Sequence, residues 1–184
     1  MITSILEQGT IDLVPLEEAM EHSRLEDNYD EMVIAGCLAA AHSLVEKWLN
    51  RKLTTTKIRA VQEEYKQKIK LPYAPILNVE TITAFNQSGE VITLVAGTQY
   101  RVDLVRQLVI LDPDTTENFT EFNIDYTCGY SDVDYVPDAV LHAIKMTFAT
   151  LYEYREDAIA GASTSKVPLT AQRILQAFKS PSFV

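Results

Sequence analysis

Cysteine and histidine, the side chains most often recruited for metal and thiol chemistry, are scarce here: two and three copies in 184 residues. Cys37 and Cys128 fall on a predicted helix stripe and a predicted strand, with no second thiol near either in sequence. This excludes a disulfide framework and reads as two reduced core thiols of a protein made in the cytoplasm. His22, His42 and His142 each stand alone in sequence. His42 and Glu46 are one helical turn apart, a spacing that metal sites use. A structural site wants about four ligands, and no cysteine or second histidine completes the set, so neither metal nor cofactor is expected. Basic residues are also in short supply, 16 Lys and Arg against 26 Asp and Glu, for a net charge of −10. Tight binding to a phosphate backbone draws on clustered Lys and Arg, and this balance argues against it.

Long apolar runs are missing too. No run approaches the roughly 20 residues that cross a bilayer, and no membrane contact is expected. Residues 1–13 have no basic segment ahead of an apolar run and no small-residue cleavage site, so they do not read as a signal peptide. Catalytic signatures are absent in the same way. Gly161-Ala162-Ser163-Thr164-Ser165-Lys166 has a superficial likeness to a phosphate loop, but it lacks the second glycine before the lysine and follows a helix where that loop needs a strand. No serine sits in a nucleophile elbow. Carboxylates are plentiful, yet an acidic chain offers many accidental pairs. The reading is of a protein that is not an enzyme.

What is present is an uneven charge and a strong pattern. Residues 1–50 hold ten acids and two bases, residues 51–70 seven bases and two acids, and residues 161–184 three bases and no acid. Such a protomer is electrically lopsided. Either its charged faces are simply solvated, or oppositely charged regions meet between neighbouring copies or at a partner.

After an irregular or extended lead over 1–13, Val14-Pro15 opens a short helix with Leu16, Ala19, Met20 and Ser23 on one side. Asn28 with Glu31 three residues on has the form of an N-cap and its reciprocating acid, and a long helix runs to Leu49. Its large stripe is Ile34, Cys37, Leu38, Ala41, Leu44, Val45, Trp48 and Leu49; Ala35, Ala39, His42 and Glu46 share a second, smaller face. From Thr54 the period changes to two. A strand is predicted from about 55 to 62, and residues 66–71 alternate with Lys66, Lys68 and Lys70 on one side, an exposed face or a protected edge. A hairpin turns near Gly89, a second joins Tyr100–Leu104 to Leu108–Leu111, and a last strand carries Phe122, Ile124 and Tyr126. Pro137 and Asp138 then begin a second long helix with the stripe Val140, Leu141, Ile144, Phe148, Leu151 and Tyr152, and the small face Ala139, Ala143 and Ala149. The small faces of the two long helices are expected to pack together. Residues 160–166 form a flexible linker to a last helix with Ala171, Ile174, Leu175 and Phe178 on one side. The fold class is therefore α+β: long helices packed together, an antiparallel β layer of five to six strands, and a flexible C-terminal helix. Its parts are the lead 1–13, one domain over 14–160, and the linker, helix and tail over 161–184.

Two features point to assembly. A tethered amphipathic helix, ending in a tail with Phe183 and Val184, either folds back on its own core or lies in a groove of another protein. Tyr152, Tyr154 and Arg155 are residue types enriched at interfaces, though the same types end many helices.

The ordered set of blocks is familiar. Val14-Pro15-Leu16-Glu17-Glu18-Ala19 and the acidic Leu25-Glu26-Asp27-Asn28 precede a helix that ends in Val45-Glu46-Lys47-Trp48-Leu49-Asn50-Arg51-Lys52-Leu53. Leu71-Pro72-Tyr73-Ala74-Pro75-Ile76-Leu77-Asn78-Val79 leads into the Gly89 hairpin and Tyr100-Arg101-Val102-Asp103. Phe122-Asn123-Ile124-Asp125-Tyr126-Thr127-Cys128-Gly129-Tyr130 precedes Val136-Pro137, then Tyr152-Glu153-Tyr154-Arg155-Glu156 and Val167-Pro168. Over residues 14–178 the chain resembles the head-to-tail connector (adaptor, head-completion) proteins of long-tailed bacteriophages, prophages and gene-transfer agents. The lead is longer than in that family.

The resemblance implies a structural virion protein of the neck at the capsid vertex. It would form a ring of copies, a dodecamer, under the portal protein, extend the DNA channel without binding DNA specifically, and offer a platform to a stopper or tail-completion protein. In that family the C-terminal segment engages the portal, a role that falls here on Ile174, Leu175, Phe178 and Lys179, with Phe183 a weaker candidate. The ring-interface candidates are Tyr152, Tyr154, Arg155, Lys66 and Lys68. The alternatives are a stopper or tail-terminator module of the same neck, a small acidic hydrolase or metal enzyme, and a host-derived adaptor that binds as a monomer.

Overall fold

The period-two run that ends the strand region decides the packing of everything around it. In the computed structural model, which describes residues 1–10, 12–25, 31–86, 88, 90–116, 118–154 and 168–179, that run is β8, Phe119–Cys128. Its inward residues Phe122, Ile124, Tyr126 and Cys128 are fully buried. β8 lies between β2 (Thr56–Gln62) and β4 (Ile76–Asn86), antiparallel to both, with Ile58 opposite Tyr126 on one side and Ile82 opposite Ile124 on the other. β1 (Ile2–Gln8) and β5 (Val91–Thr93) complete a five-stranded sheet in the order β1-β2-β8-β4-β5. A second antiparallel sheet, order β3-β7-β6, comprises β3 (Lys68–Lys70), β6 (Tyr100–Asp103) and β7 (Leu108–Leu111). One buried cluster joins the two sheets, with Ile69, Tyr100, Val109 and Leu111 from the smaller meeting Ile58, Ile82, Phe122 and Ile124 from the larger. Tyr126 carries its hydroxyl through this core to donate to the Pro72 carbonyl at 2.8 Å. Burial pushes that phenol well above its usual pKa.

By its internal contacts the chain forms two compact units. Met1–Thr10 and Lys52–Ser131 make the β unit just described; the described residues within Ile11–Arg51 and Asp132–Pro181 make a helical one. Helices and strands thus segregate as the α+β reading holds, with two differences. The lead expected as irregular is the edge strand β1, held antiparallel on β2 with Ile2 opposite Val61 and Gln8 opposite Thr56. Its apolar residues Ile2, Ile5 and Leu6 follow no single period, because a bulge between Ile5 and Glu7 inserts Leu6, so the sequence carries no strand signal. The described residues hold eight strands in two sheets where five to six in one layer were expected. β3 and β5 are three residues each, too short for alternation to register.

In the helical unit, α1 (Leu16–His22), α4 (Asp138–Glu153) and α5 (Leu169–Leu175) start the same way. A proline with φ near −55° stands just ahead, and its carbonyl accepts the first helical N–H: Pro15 from Ala19, Pro137 from Val140, Pro168 from Gln172. The four-residue turn Pro113–Thr116, α3, belongs to the β unit. The long helix, α2, spans Glu31–Leu49 and stops at Asn50, whose φ of 53° is the left-handed conformation that ends helices. The proposed N-cap Asn28 lies outside the described residues. α4 is the hub, packing against α1, α2 and α5.

α2 and α4 do pack together, and of the small faces expected to meet, Ala143 on α4 and Glu46 on α2 are buried. Ile34, Ala41, Val45, Glu46 and Leu49 are the buried positions of α2, whereas Ala35 and Ala39 are exposed. The large stripe, repeating every three to four residues, takes the inner face, and residues 35 and 39 lie further round the cylinder. By length and composition alone α2 is apolar enough to cross a bilayer, with mean hydropathy 1.3, contrary to the expectation that no segment is. Only 28% of that window is buried, so much of an apolar helix is left uncovered.

Gly129 closes β8 with φ 99°, and a Cβ there would stand 2.1 Å from the Thr54 carbonyl oxygen. Gly97 has φ 82° with open space around its missing Cβ. Gly97→Ala is expected to cost about 1–2 kcal/mol, the conformational penalty alone. Gly129→Ala adds a backbone collision and is expected to cost about 3 kcal/mol or more. Urea denaturation of the two variants beside the parent checks this; equal losses would mean that φ, not the Thr54 carbonyl, sets the requirement.

Candidate functional site

The C-terminal segment is fixed to the helical unit by two kinds of contact. Ala171 and Leu175 are fully buried on the side of α5 that packs against α4. The turn Gln176–Phe178 then brings the chain past the end of α2. There Arg51 Nε donates to the Phe178 carbonyl, and the Lys179 ammonium sits 4.7 Å from the centroid of the Trp48 ring. A cation over an indole contributes about 0.5–1 kcal/mol at an exposed site. Of the four residues given a portal-binding role, Leu175 therefore faces inward, Ile174 and Phe178 are half-buried, and Lys179 is exposed. The helix periodicity brings them together but does not reveal which side the core takes. Leu169, which the sequence reading passed over, is the most exposed apolar residue of α5. Phe183 lies outside the described residues.

The ring-interface candidates separate. Tyr152 is buried, its ring 6.0 Å from that of Phe148 one turn earlier; Tyr154, at the end of α4, is exposed. Arg155 lies outside the described residues. In the β unit, Lys68 is exposed on β3, an edge strand of the smaller sheet, and Lys66 is exposed with its ammonium 3.9 Å from Glu64.

The outer face of the larger sheet carries a charge network that sequence reasoning missed. Arg59 on β2 holds Asp125 on β8 through two hydrogen bonds of 2.7 Å. Next to it, Lys57 pairs with Glu80 of β4, and Thr127 donates to Glu80 at 2.7 Å. The β4–β8 register slips between Val79 and Thr81, so Glu80 is the extra residue of a bulge and is re-aimed across the sheet. Hydrogen bonds from Arg59 hold Asp125 below the usual carboxylate range, and those from Lys57 and Thr127 do the same for Glu80. A general acid at neutral pH needs its carboxyl pKa raised. These two are shifted the other way, as in structural pairs. The partners come from strands far apart in sequence, which is why no local spacing announced them.

Two of the solitary histidines also meet. His22 at the end of α1 and His142 on α4 pack edge to face with ring centroids 5.5 Å apart, beside an ion pair of 2.7 Å between Lys145 and Glu18. Desolvation, then the His142 and Lys145 charges, lower the pKa of His22 against an opposing pull from Glu18. His42 lines a cleft on α2 while Glu46 is buried. Among the described residues no group of three His, Cys, Asp or Glu is placed to hold a metal ion.

That cleft has a volume of about 330 Å³. Asp12, Leu13, Val14 and Leu16 line it from one stretch of the chain, Ala35, Leu38, Ala39 and His42 from α2, and Ile144 from α4. Its lining is mainly apolar, without the convergent polar groups that fix a small ligand.

No protein-family model matches the chain, and no curated protein matches it in sequence. Solved structures do. A chain in the neck of the empty gene transfer agent (GTA) particle computed with C6 symmetry aligns at TM-score 0.74 and 18% identity, over 100% of this chain and 98% of that one. A chain of the virion of the native particle aligns at TM-score 0.75 and 18% identity with the same coverage. One from the neck of the native particle computed with C12 symmetry aligns at 0.72 and 19%, again with 100% and 98% covered. The resemblance read from the sequence to a connector family that includes gene-transfer agents is thus shown at the level of fold: from end to end, this chain has the fold of a subunit of those particles.

The lowered pKa of His22 has a consequence for stability. Between that value and the unfolded value of about 6.5, the unfolded chain binds more protons than the native one, so stability rises with pH across this window. The contribution is complete above about pH 6.5 and is lost as pH falls. His22→Gln is expected to flatten the decline of the urea midpoint between pH 7 and pH 5. A decline as steep as that of the parent would assign the effect to another group.

Proposed function

We propose that this chain is a structural head-to-tail connector of a virion neck: a protein with no reaction of its own that assembles as a ring under the portal, extends the DNA channel and joins head to tail. The observation that carries this reading is the end-to-end likeness to chains of gene-transfer-agent particles, two of them from necks, over 100% of this chain and 98% of theirs. Two properties of the molecule fit it. A net charge of −10 repels duplex phosphates, which lets DNA slide past without adhering. The C-terminal segment leaves Ile174 and Phe178 half-buried and Lys179 exposed while Ala171 and Leu175 hold it in place, so part of this surface can meet a partner without unfolding of the helix.

On this reading Ile174, Phe178 and Lys179 meet the portal, Leu175 supports them from behind, and Tyr154 and Lys68 face neighbouring copies. The alternative within the same neck is a stopper, which would sit on the connector ring and would not bind portal directly. Light scattering of the protein alone and mixed with the portal protein of the same genome separates the two. The connector reading expects a stoichiometric complex, and Ile174→Asp together with Lys179→Glu, both at positions not fully buried, should weaken it by about tenfold or more with the fold intact by circular dichroism. Binding that survives both substitutions would remove the C-terminal helix from the portal contact. No complex with two folded proteins would favour the stopper or a monomeric module.

A further inference from the structure

The hairpin joining β6 to β7 carries a feature that folding of the chain does not require. Its tip, residues 104–107, places Val105 in water at 94% exposure and Leu104 at 48%. The tip is well ordered by hydrogen bonds: the Arg106 N–H donates to the Asp103 carboxylate at 2.9 Å, Gln107 is fixed at φ 58°, and the Gln107 carbonyl accepts from the Leu71 N–H at 3.0 Å. Two aliphatic side chains on a preorganised turn form a knob whose docking costs little conformational entropy. Isolated exposed apolar residues are ordinary. A pair at the apex of a braced turn, flanked by the exposed Arg101 and Arg106, is a more specific object.

The helical unit offers the matching hole. The cleft between Leu13, Val14 and Leu16 on one side and Ala35, Leu38 and Ala39 on the other has room for two aliphatic side chains in its 330 Å³. Its α2 wall lacks bulk because residues 35 and 39 end at Cβ. The polar residues that line the cleft are Asp12 and His42, and α1, which contributes Leu16, also carries the exposed Glu17 and Glu21. Arg101 and Arg106 flank the tip; Arg106 lies 3.8 Å from the Asp103 carboxylate yet its side chain is 78% exposed, so it can also face the carboxylate that borders the cleft, and the two surfaces complement each other in polarity and charge.

We propose that the β6–β7 tip of one copy inserts Leu104 and Val105 into the α1–α2 cleft of the next copy, with Arg106 facing Asp12. This rests on the connector reading. A ring with rotational symmetry, such as the C12 imposed on one of the similar neck structures, is closed by heterologous contacts in which different patches of identical chains meet. A knob and a hole on different parts of one chain supply that kind of contact.

The test uses the full chain assembled with the portal protein. Val105→Asp, at a solvent-exposed position, should leave the melting temperature unchanged and raise the concentration for half-assembly by about tenfold or more. In a Cys37→Ser background, the pair Val105→Cys and Ala39→Cys should give, on mild oxidation, a ladder of covalent multimers up to a closed ring, while either cysteine alone gives none. A linear ladder is the mark of a head-to-tail contact. If the parent assembles but Val105→Asp assembles equally well and no ladder forms, the knob-and-hole contact is wrong and the connector reading stands. Dimers from Val105→Cys alone would also overturn it, by pairing tip with tip. Loss of portal binding in Val105→Asp with no ladder would assign the tip to the portal instead. A parent that never self-associates, with or without portal, would bring down both readings.

Discussion

The β unit depends on keeping β8 in register between β2 and β4. Its alternation of Phe122, Ile124, Tyr126 and Cys128 with Asn123, Asp125 and Thr127 leaves no freedom. A slip of one residue would bring carboxylate and amide into the core and put Phe122, Ile124 and Tyr126 into water. Fully burying one such side chain stabilises by about 1.5–3 kcal/mol, so the slipped state is out of reach. The charged outer face enforces the same register from the other side, because the Arg59–Asp125 pair forms only when those two residues are opposite. Gly129 then lets the chain leave the sheet where a side chain would strike Thr54. Hydrophobic and electrostatic terms agree on one alignment, and the smaller sheet is covered by the core that this alignment creates.

The helical unit is organised on weaker terms at its C-terminal end. α5 has seven residues, too few to be a stable helix alone, and holds its place through Ala171 and Leu175. Past α5 the chain is fastened by the Lys179–Trp48 contact and the hydrogen bond from Arg51 to the Phe178 carbonyl. Each contributes on the order of 1 kcal/mol. A partner that offered better contacts to Lys179 or Phe178 could exchange them at little cost while α5 itself stayed packed. The segment is therefore positioned without being committed, which suits a surface that meets another protein.

Much of this was legible in the sequence because the periods are clean. The change from a 3.6 to a 2.0 repeat at Thr54, the two hairpins, and the prolines before α1, α4 and α5 all have local causes that a single chain displays. What escaped has non-local causes. β1 becomes a strand only against β2, and its bulge scrambles the alternation that would have revealed it. The His22–His142 contact, the Glu80 network and the cleft bring together residues distant in the chain. Ala35 and Ala39 show the limit most clearly: small residues on a helix face mean close packing only if a neighbour covers them, and here both stay exposed at a cleft. Residue size is written in the chain, whereas the side that a neighbour occupies is decided by tertiary packing.

Charge poses the remaining physical question for any assembly of such chains, since copies carrying −10 each should repel. Screening limits that repulsion: at physiological ionic strength the Debye length is about 8 Å, so neighbours respond to the charges at their contact and not to the total. On the outer face of the larger sheet, Lys57 and Arg59 are already matched by Glu80 and Asp125, so this patch exerts little pull on an approaching copy. Along the chain the charge is uneven, with ten acids against two bases in residues 1–50 and seven bases, Lys57 and Arg59 among them, against two acids in residues 51–70. Association that places those segments of different copies side by side gains attraction within a Debye length. Association that places like segments together loses it. A lopsided protomer thereby favours any contact, in a ring or in a symmetric pair, that sets the acidic segment of one copy against the basic segment of another.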